Sequence, residues 1–522
     1  MQVSLARAAC GGASSIPMTT CSYVPSEGDE RPWGVVGRPL RLIPLRGFEF
    51  AEGSGVESPQ RVVVVGGGVS GLATAYFLSR APGLPPAVRV VEAAGRVGGN
   101  VRTERVAGHD VDVGPDSLLV PSHPLSALID ELGLADAVVS PGVVGAYVWS
   151  RGRLRPLPAG TVAGVPLRPG PLLRSGLLSP WGVVRAGLDL VLPRRPVGED
   201  PSIGELVRGR FGRQVLDRLA DPLLGGIHAG PADRLSARSI VPDLEVASRG
   251  SRSLWWGLRR LRRPALPGPS LVTLRGGLTR LTAALAQGLG DAQVITGQPV
   301  TTLEVTADGY RLRLADGAVL DADAVVLAVP TFVAATLLAD VSPEAAAALR
   351  EILYADVATV TLAYPRAALG RAMDRTGFLV PPEEGLLVVG CTWLPAKWPH
   401  LDDRSQVLIR AMVGRYGDRR FAVLDDVTLV AQVHDELARM MGMSGPPLNA
   451  LVQRWPRAIP QYSVGHSVRL QRVDAALARL PGLHVTGAGY RGVGISGCVA
   501  QAEQSARAVL AAPARSVEGS SA

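Results

Sequence analysis

The stretch RVVVVGGGVSGLATAYFL, residues 61–78, decides the fold. Four consecutive valines predict a buried strand, the glycines predict a tight turn, and the apolar residues after them predict a helix. In the pattern G-x-G-x-x-G, the first glycine makes the turn and the second lets backbone approach a pyrophosphate. The third lets the helix pack against the strand. Residues 62–79 carry no charge, but this pattern predicts a nucleotide-binding unit in place of a membrane span.

A carboxylate and a second glycine turn follow this unit. Glu92 ends the next predicted strand, 21 residues after Gly71, where its carboxylate would bind ribose hydroxyls. Arg96, Gly98 and Gly99 come directly after it. The dinucleotide-binding residues predicted in this part of the chain are Gly66, Gly67, Gly68, Ser70, Gly71, Glu92, Arg96, Gly98 and Gly99.

A further strand–turn–helix unit lies near the C-terminus. Residues 483–486 predict a strand, glycine turns follow it, and a helix is expected over 497–511. A helix N-terminus directed at a flavin ring would stabilise negative charge on the reduced ring. A C-terminal βα unit with glycine turns and no ligand is the alternative, and the pattern itself leaves both open.

The chain has 522 residues, of which 47% are apolar and 19% charged. This length predicts two or three domains and excludes a disordered protein, a small disulfide scaffold and a fibrous repeat. Strands and helices alternate at both ends of the chain, and a Pro- and Gly-punctuated segment that is largely helical over 171–264 lies between them. The pattern predicts an α/β nucleotide-binding fold assembled from distant segments, followed by a β-rich stretch over 355–415 and a helix over 426–442.

Positive charge is concentrated in one segment. The net charge is +8, and 53 of the 54 basic residues are arginine, with Lys397 the exception. Residues 151–263 contain 20 arginines and nine acidic residues, an excess of 11 positive charges, which leaves −3 for the remainder. A G+C-rich genome would explain the arginine bias, and the segment has no helix-turn-helix, zinc-finger or aromatic pattern that would indicate nucleic acid. The four cysteines lack the spacing of metal ligands, and their small number indicates a protein of the reducing cytoplasm.

Several longer blocks resemble one family, the protoporphyrinogen and coproporphyrinogen oxidases of haem synthesis, within the flavin amine-oxidase superfamily. The resemblance runs from about Arg61 to Ala511. The blocks are GPDS at 114–117, LRPLPAG at 154–160, DPLLGGIHAG at 221–230, RGGLTRL at 275–281, RWPRAIPQYSVGH at 454–466 and GAGYRGVGISGC at 487–498.

The resemblance implies a Rossmann-type FAD-binding domain assembled from distant segments, a mixed-sheet substrate domain and a helical insertion. The FAD-binding domain is expected at 61–145, 266–335 and 481–511, the insertion at 146–265 and the β-rich substrate part at 336–480. A disordered leader is expected at 1–60 and a disordered tail at 512–522. Val300 is expected to lie against adenine, Gly494 and Ile495 to lie at the flavin ring, and Gly487 to bind the cofactor.

The implied activity is FAD-dependent oxidation of coproporphyrinogen III to coproporphyrin III, with O2 as acceptor and H2O2 as product. No catalytic dyad is expected, because flavin N5 accepts hydride and the protein positions the ring. Protoporphyrinogen IX oxidation, another amine oxidase or desaturase activity, and a non-enzymatic tetrapyrrole-binding flavoprotein stay open. Flavin attachment through Cys498 is a further alternative to a buried structural thiol.

Substrate contacts are less defined by the pattern. Relatives place a basic residue soon after GPDS, but here only His123 follows, so an arginine of the insertion is expected to contact propionates. His123 and His228 are the predicted substrate residues, while His466 is expected to be a hydrogen-bonded structural residue, and no metal is expected. The predicted partners are a porphyrinogen and O2, without nucleic acid. Contact with an anionic membrane surface and with another enzyme of haem synthesis stays open for a cytoplasmic protein.

Overall fold

A computed structural model describes residues 59–119, 123–162, 164–194, 196–261, 271–290 and 293–511. The predicted tail, and all but the last two residues of the predicted leader, lie outside these ranges. Within them, no helix combines the length and the apolar character that crossing a membrane requires.

The strands and helices are numbered along the chain. The strands are β1 (Arg61–Val65), β2 (Ala87–Val91), β3 (Thr103–Val106), β4 (His109–Asp112), β5 (Leu118–Leu119), β6 (Val138–Val139), β7 (Tyr147–Ser150), β8 (Arg153–Pro156), β9 (Thr161–Val162), β10 (Val165–Pro166), β11 (Leu271–Leu274), β12 (Val294–Ile295), β13 (Val300–Thr306), β14 (Gly309–Leu314), β15 (Val319–Ala322), β16 (Ala324–Leu327), β17 (Tyr354–Pro365), β18 (Gly377–Leu379), β19 (Val388–Trp393), β20 (Gln406–Val413), β21 (Asn449–Pro460) and β22 (Leu483–Val485). The helices are α1 (Val69–Ser79), α2 (His123–Glu131), α3 (Pro169–Ser175), α4 (Pro180–Gly187), α5 (Ile203–Phe211), α6 (Arg213–Val215), α7 (Asp221–His228), α8 (Ala237–Ile240), α9 (Pro242–Gly250), α10 (Leu254–Leu261), α11 (Thr279–Leu289), α12 (Thr331–Leu337), α13 (Pro343–Arg350), α14 (Leu394–Lys397), α15 (Asp426–Met441), α16 (His466–Leu477) and α17 (Ile495–Ala511).

A parallel sheet forms the nucleotide-binding half. Its strands lie in the order β12-β2-β1-β16-β22, so three distant parts of the chain meet in one sheet. Val62 and Val64 of β1 pack with α1, α11 and α17 on one face, while Val63 and Val65 pack with α12, α13 and α16 on the other. Both faces are covered, which explains why the strand is an unbroken apolar run. The structure confirms the α/β fold assembled from distant segments.

A mixed seven-stranded sheet forms the other half, in the order β21-β17-β20-β19-β18-β7-β8. Neighbouring strands are antiparallel except β18 and β7, which run parallel. Helix α15 buries its apolar side on one face, through Leu429, Val433 and Leu437. The opposite face turns Thr359 and Trp455 towards the loop that follows β4.

Strand β21 was not predicted from the sequence, because two prolines interrupt its pattern. It is an edge strand, and its register with β17 is irregular between Val357 and Ala355, where the pairing passes from Trp455 to Ile459. Pro456 and Arg457, whose φ is +45°, lie in this irregular part. Proline is tolerated at such positions because no ladder hydrogen bond is needed there.

Helices α3 to α10 form the insertion, around an apolar core of their own. An ion pair is buried inside it: Arg210 Nε lies 2.6 Å from Asp189 Oδ1, and Asp189 also accepts from Ser253 Oγ. Helix α6 continues through a π-helical turn at 216–220 into α7, which carries the DPLLGGIH block. The structure therefore confirms that this segment is largely helical.

Candidate flavin and substrate site

The first glycine turn is shaped by close backbone contacts. Gly66 has a φ of +109°, and a Cβ there would lie 2.6 Å from the Ala328 carbonyl oxygen. A Cβ on Gly71 would lie 1.9 Å from the Gly66 carbonyl oxygen, so α1 could not begin this close to the turn with any other residue. Gly66 and Gly71 therefore have the roles that the pattern predicted for the turn and for the helix.

The second glycine turn lies directly against the first. Gly98 donates to the Gly67 carbonyl at 2.8 Å, and a Cβ on Gly99 would lie 3.3 Å from Gly68 Cα. Arg96 closes this turn, since its guanidinium donates to the carbonyls of Val97 and Gly99. Burial and the nearby Arg102 lower the pKa of Arg96 from its ordinary value.

Glu92 sits at the end of β2, beside the glycine turn. Its carboxylate accepts from the N–H of Gly67 at 2.6 Å and of Ala94 at 2.8 Å. The backbone of Glu92 also pairs with Ile295 and Gln298, which brings the start of β13 and Val300 to the same edge. The structure thus brings Glu92 into backbone contact with Gln298, two residues before Val300.

The C-terminal loop 486–494 closes the other side of this region. Gly487 has a φ of +130°, and a Cβ on it would come within 3.8 Å of Ser70 Oγ at the start of α1. Ser496, next to Ile495, donates to the Leu119 carbonyl in β5 at 2.8 Å. The two glycine-rich ends of the predicted site therefore meet at the N-terminus of α1.

These residues fit FAD on geometric grounds. Gly68, the N-cap of α1, provides no side-chain cap, so the first N–H groups of the helix are available to a pyrophosphate. A Cβ on Gly68 would meet only Gly99 Cα, at 4.0 Å, and a Cβ on Gly494 would meet nothing within 4 Å. The glycines leave open space beside the turn, and the carboxylate of Glu92 lies next to it, where the pattern predicts the contact with ribose.

The GPDS block is fixed by two cations that sequence reasoning did not assign. Asp116 is buried between Lys397 Nζ, 3.0 Å from its carboxylate, and Arg410, 2.8 Å from it. Burial opposes ionisation, but the charges of Arg410 and Lys397 outweigh it and hold the pKa of Asp116 well below its usual range. The sequence held one signal, since Lys397 is the only lysine among 54 basic residues.

The Val113 carbonyl, just before this block, accepts two hydrogen bonds from the mixed sheet. The donors are Thr359 Oγ1 at 2.7 Å and Trp455 Nε1 at 2.9 Å. Asp112 accepts from Thr103 Oγ1 and from the N–H of Leu278 in the RGGLTRL block. Burial raises the pKa of Asp112 to about 6. The loop after β4 is therefore attached to both halves of the fold.

The predicted histidines lie in different environments. His123 begins α2, and its side chain lies outside what the structure describes. His228 ends α7, where burial lowers its pKa to about 4, and its Nδ1 has no hydrogen-bond partner among the described residues. His466 is 2% exposed and shares a hydrogen bond with the Tyr490 carbonyl, as a structural histidine would.

Cys498 is a buried thiol at the first turn of α17. Burial raises its pKa to about 11, partly offset by Ser70, so the sulfur is protonated near neutral pH. A protonated, enclosed thiol has little nucleophilic character, which favours a structural role over covalent flavin attachment. Among the described residues, no group of histidine, cysteine and carboxylate side chains could hold a metal ion.

The chain is similar to known proteins in sequence and in structure. The profile of the flavin containing amine oxidoreductases matches residues 69–510. The coproporphyrinogen III oxidase of Bacillus subtilis (strain 168) is 34% identical over 457 residues, covering 85% of this chain and 97% of that protein. The protoporphyrinogen oxidase of Bos taurus is 33% identical, covering 86% and 98%. A crystal structure from Exiguobacterium sp. 255-15, provisionally named a protoporphyrinogen oxidase, has a TM-score of 0.77 and 31% identity and covers 87% and 99% of the two chains.

Proposed function

Because the chain belongs to the family of flavin containing amine oxidoreductases, we propose that it uses FAD to oxidise coproporphyrinogen III to coproporphyrin III. The electron acceptor is O2 and the second product is H2O2. The observation that carries this function is the similarity to the Bacillus subtilis coproporphyrinogen III oxidase, which spans 97% of that protein. The meeting of both glycine-rich ends at the N-terminus of α1 supports it.

The residues of the chain have separate tasks in this reaction. The N-terminus of α1 holds the pyrophosphate together with Gly487, Glu92 holds the ribose and Val300 the adenine, while Gly494 and Ile495 lie at the ring. Bound FAD supplies a hydride acceptor at N5 for the methylene bridges of the substrate. The insertion covers the substrate and excludes water.

The electron balance explains why no acid–base dyad is required. Conversion of the porphyrinogen to the aromatic porphyrin removes six hydrogen atoms, and three molecules of O2 take them up as three of H2O2. Pyrrole N–H protons leave through tautomerisation of the macrocycle itself, so the protein needs to position the ring and not to titrate it.

Protoporphyrinogen IX oxidation is the second candidate, since the bovine protoporphyrinogen oxidase is 33% identical and 98% covered. The two substrates differ in their carboxylates, with four propionates on coproporphyrinogen and two on protoporphyrinogen. The arginine excess of the insertion favours the more highly charged one.

Anaerobic titration of the purified holoenzyme tests the function. Addition of coproporphyrinogen III should bleach the flavin absorption, and admission of air should restore it and yield a fluorescent porphyrin. Steady-state oxidation of both porphyrinogens then separates the two candidates, with the larger kcat/KM expected for coproporphyrinogen. Absence of bleaching by either substrate would contradict the function.

The expected membrane contact is assigned to one face of α4. Trp181 and Val184 of α4, and Leu188 directly after it, recur at i, i+3 and i+7, and their exposures are 81%, 57% and 39%. Residues 151–188 contain no acidic residue, and the next one, Asp189, is buried against Arg210. An apolar helix face within a basic segment suits an anionic bilayer surface. Contact with another enzyme of haem synthesis stays a prediction.

A further inference from the structure

The segment 461–466, within the IPQYSVGH block, lies between the insertion and the C-terminal glycine loop. It connects the end of β21 to the start of α16, and both of its aromatic side chains are almost fully buried. Neither Tyr462 nor His466 belongs to a glycine motif, so the dinucleotide pattern does not explain why this block resembles the family.

Tyr462 binds the glycine loop twice. Its hydroxyl donates to the Ala488 carbonyl at 2.7 Å and accepts from the Gly492 N–H at 2.8 Å. One side-chain oxygen therefore fixes two backbone groups four residues apart in the loop. Gly492 has a φ of +153° and lies tightly against Gly497, so the loop has little freedom to rearrange if this bond is kept.

His466 adds a third backbone contact. Its Nε2 lies 2.8 Å from the Tyr490 carbonyl, and because a carbonyl only accepts, Nε2 carries the proton. The imidazole also stacks on the Tyr462 ring, with centroids 4.0 Å apart and planes 14° apart. The two side chains thus hold Ala488, Tyr490 and Gly492 as one unit.

Segment 461–466 also forms hydrogen bonds with the insertion. Gln461 Nε2 donates to the His228 carbonyl at 2.8 Å, and the Gly465 N–H donates to Asp200 at 2.6 Å. The Tyr462 carbonyl accepts from Ser236 at 2.8 Å. A Cβ on Gly230 would lie 2.0 Å from Gln461 Oε1, so the GGIHAG turn and Gln461 are closely fitted.

We propose that Tyr462 and His466 are positioning residues for the flavin, which act through the backbone of residues 488–492, and that segment 461–466 couples this loop to the GGIHAG turn of the insertion. The proposal rests on the proposed function, because it requires a flavin ring at the loop. Three sequence blocks that are distant along the chain, around His228, Tyr462 and Tyr490, meet at this point, which gives a physical reason for their occurrence together.

Substitution of Tyr462 by phenylalanine tests the hydrogen bonds while keeping the ring stack. Two bonds to the loop are lost, so Tyr462→Phe should release FAD about tenfold faster, the effect of roughly one net hydrogen bond. The visible absorption bands of the bound flavin should also shift, because the ring environment changes. FAD fluorescence on dilution and the absorption spectrum of the holoenzyme measure both effects without any substrate.

Tyr364→Phe is the matched control. Tyr364 is also buried and stacked on a histidine, His434, and its hydroxyl lies 2.9 Å from that ring, but it belongs to the face of the mixed sheet covered by α15. Tyr364→Phe should lower the melting temperature and leave FAD release and the spectrum at wild-type values. Equal FAD release and spectra in Tyr462→Phe and Tyr364→Phe would overturn the proposal.

His466 provides an independent variant. His466→Gln keeps an N–H donor for the Tyr490 carbonyl and should retain FAD better than His466→Leu, which keeps none. Equal FAD release in these two variants would also overturn the positioning role. A wild-type protein that binds FAD without oxidising either porphyrinogen would contradict the proposed function and leave the positioning test valid, whereas a wild-type protein that binds no FAD would contradict both.

Discussion

At the scale of single residues, His228 and His466 are neutral in the folded protein at pH values where most histidines are charged. Burial lowers the pKa of each from 6.5 to about 4. The unfolded chain binds these protons near pH 6.5, so it gains them before the folded protein does. Stability from the neutral histidines is complete above pH 6.5 and is lost as the pH falls towards 4.

His228→Gln should reduce this loss of stability. The substitution removes a group that titrates only in the unfolded chain over this range, and each such histidine contributes about 1–3 kcal/mol to the pH dependence. Urea unfolding of wild type and variant at pH 7, 5.5 and 4.5 measures the difference. Near pH 7 the two should be similar, because Nδ1 of His228 has no hydrogen-bond partner among the described residues.

The variant must be compared with wild type at each pH, because Asp112 changes stability with pH in the direction opposite to that of the histidines. Burial raises its pKa to about 6, so the folded protein takes up that proton first and gains stability as the pH falls below 6. This contribution is the same in both proteins and cancels in their difference. Parallel stability curves for wild type and His228→Gln would show that His228 is not a desolvated neutral group.

At the scale of elements, local patterns and long-range pairing were predictable to different degrees. The β1–α1 unit was predicted from residues 61–78, because its strand, turn and helix signals are consecutive in sequence. Strand β21 was not predicted, because its conformation depends on pairing with β17, about 90 residues earlier in the chain. The glycines that we propose to bind FAD belong to the local patterns.

Contacts made by polar side chains across the fold depend, like β21, on long-range pairing and could not be predicted from the sequence. Lys397 meets Asp116 across 281 residues, and Tyr462 reaches the glycine loop from a different element. No periodicity or spacing connects such pairs. The composition marked Lys397 as the only lysine, but only the fold gives it a partner.

Helix α4 allows the membrane contact to be tested as a property of one element. Trp181→Ala should lower the partition of the holoenzyme onto vesicles that contain anionic lipid by about tenfold, since one large apolar side chain leaves the interface. Its buried face, with Gly182 and Ala186, is unchanged. Co-sedimentation with anionic and with zwitterionic vesicles measures the partition, and binding is expected only to the anionic ones.

Trp256→Ala is the control for this test. Trp256 is also half exposed and lies in the same insertion, but on α10. The Trp256→Ala variant should bind vesicles as the wild type does. Equal losses in the two variants would place the contact elsewhere on the insertion, and absence of wild-type binding would remove the membrane contact altogether.

At the scale of the whole molecule, the structure shows how the charge of the insertion is held. Several of its arginines donate to backbone carbonyls, among them Arg185 to Arg210 and Gly209, and Arg252 to Leu190. A carbonyl orients a guanidinium but does not neutralise it. Glu383, outside the segment, pairs with Arg218, and the rest of the excess of 11 positive charges in residues 151–263 can act on a distant anion.

This excess should act more strongly on a substrate with four carboxylates than on one with two. The value of kcat/KM for coproporphyrinogen should fall more steeply with ionic strength than that for protoporphyrinogen, because salt screens the field of the insertion. Arg259 and Arg260 are exposed at the end of α10, and the double variant Arg259→Gln/Arg260→Gln should raise KM for coproporphyrinogen more than for protoporphyrinogen.

A variant with the same change in net charge outside the insertion separates a local field from the global charge. Arg311 in β14 and Arg507 in α17 are exposed and pair with neighbouring carboxylates, Asp321 and Glu503. Arg311→Gln/Arg507→Gln should leave the ratio of the two KM values unchanged, since the field it alters lies away from the substrate. If both double variants shift the two KM values equally, the arginine excess reflects the composition of the genome, and substrate preference must come from contacts inside the cavity.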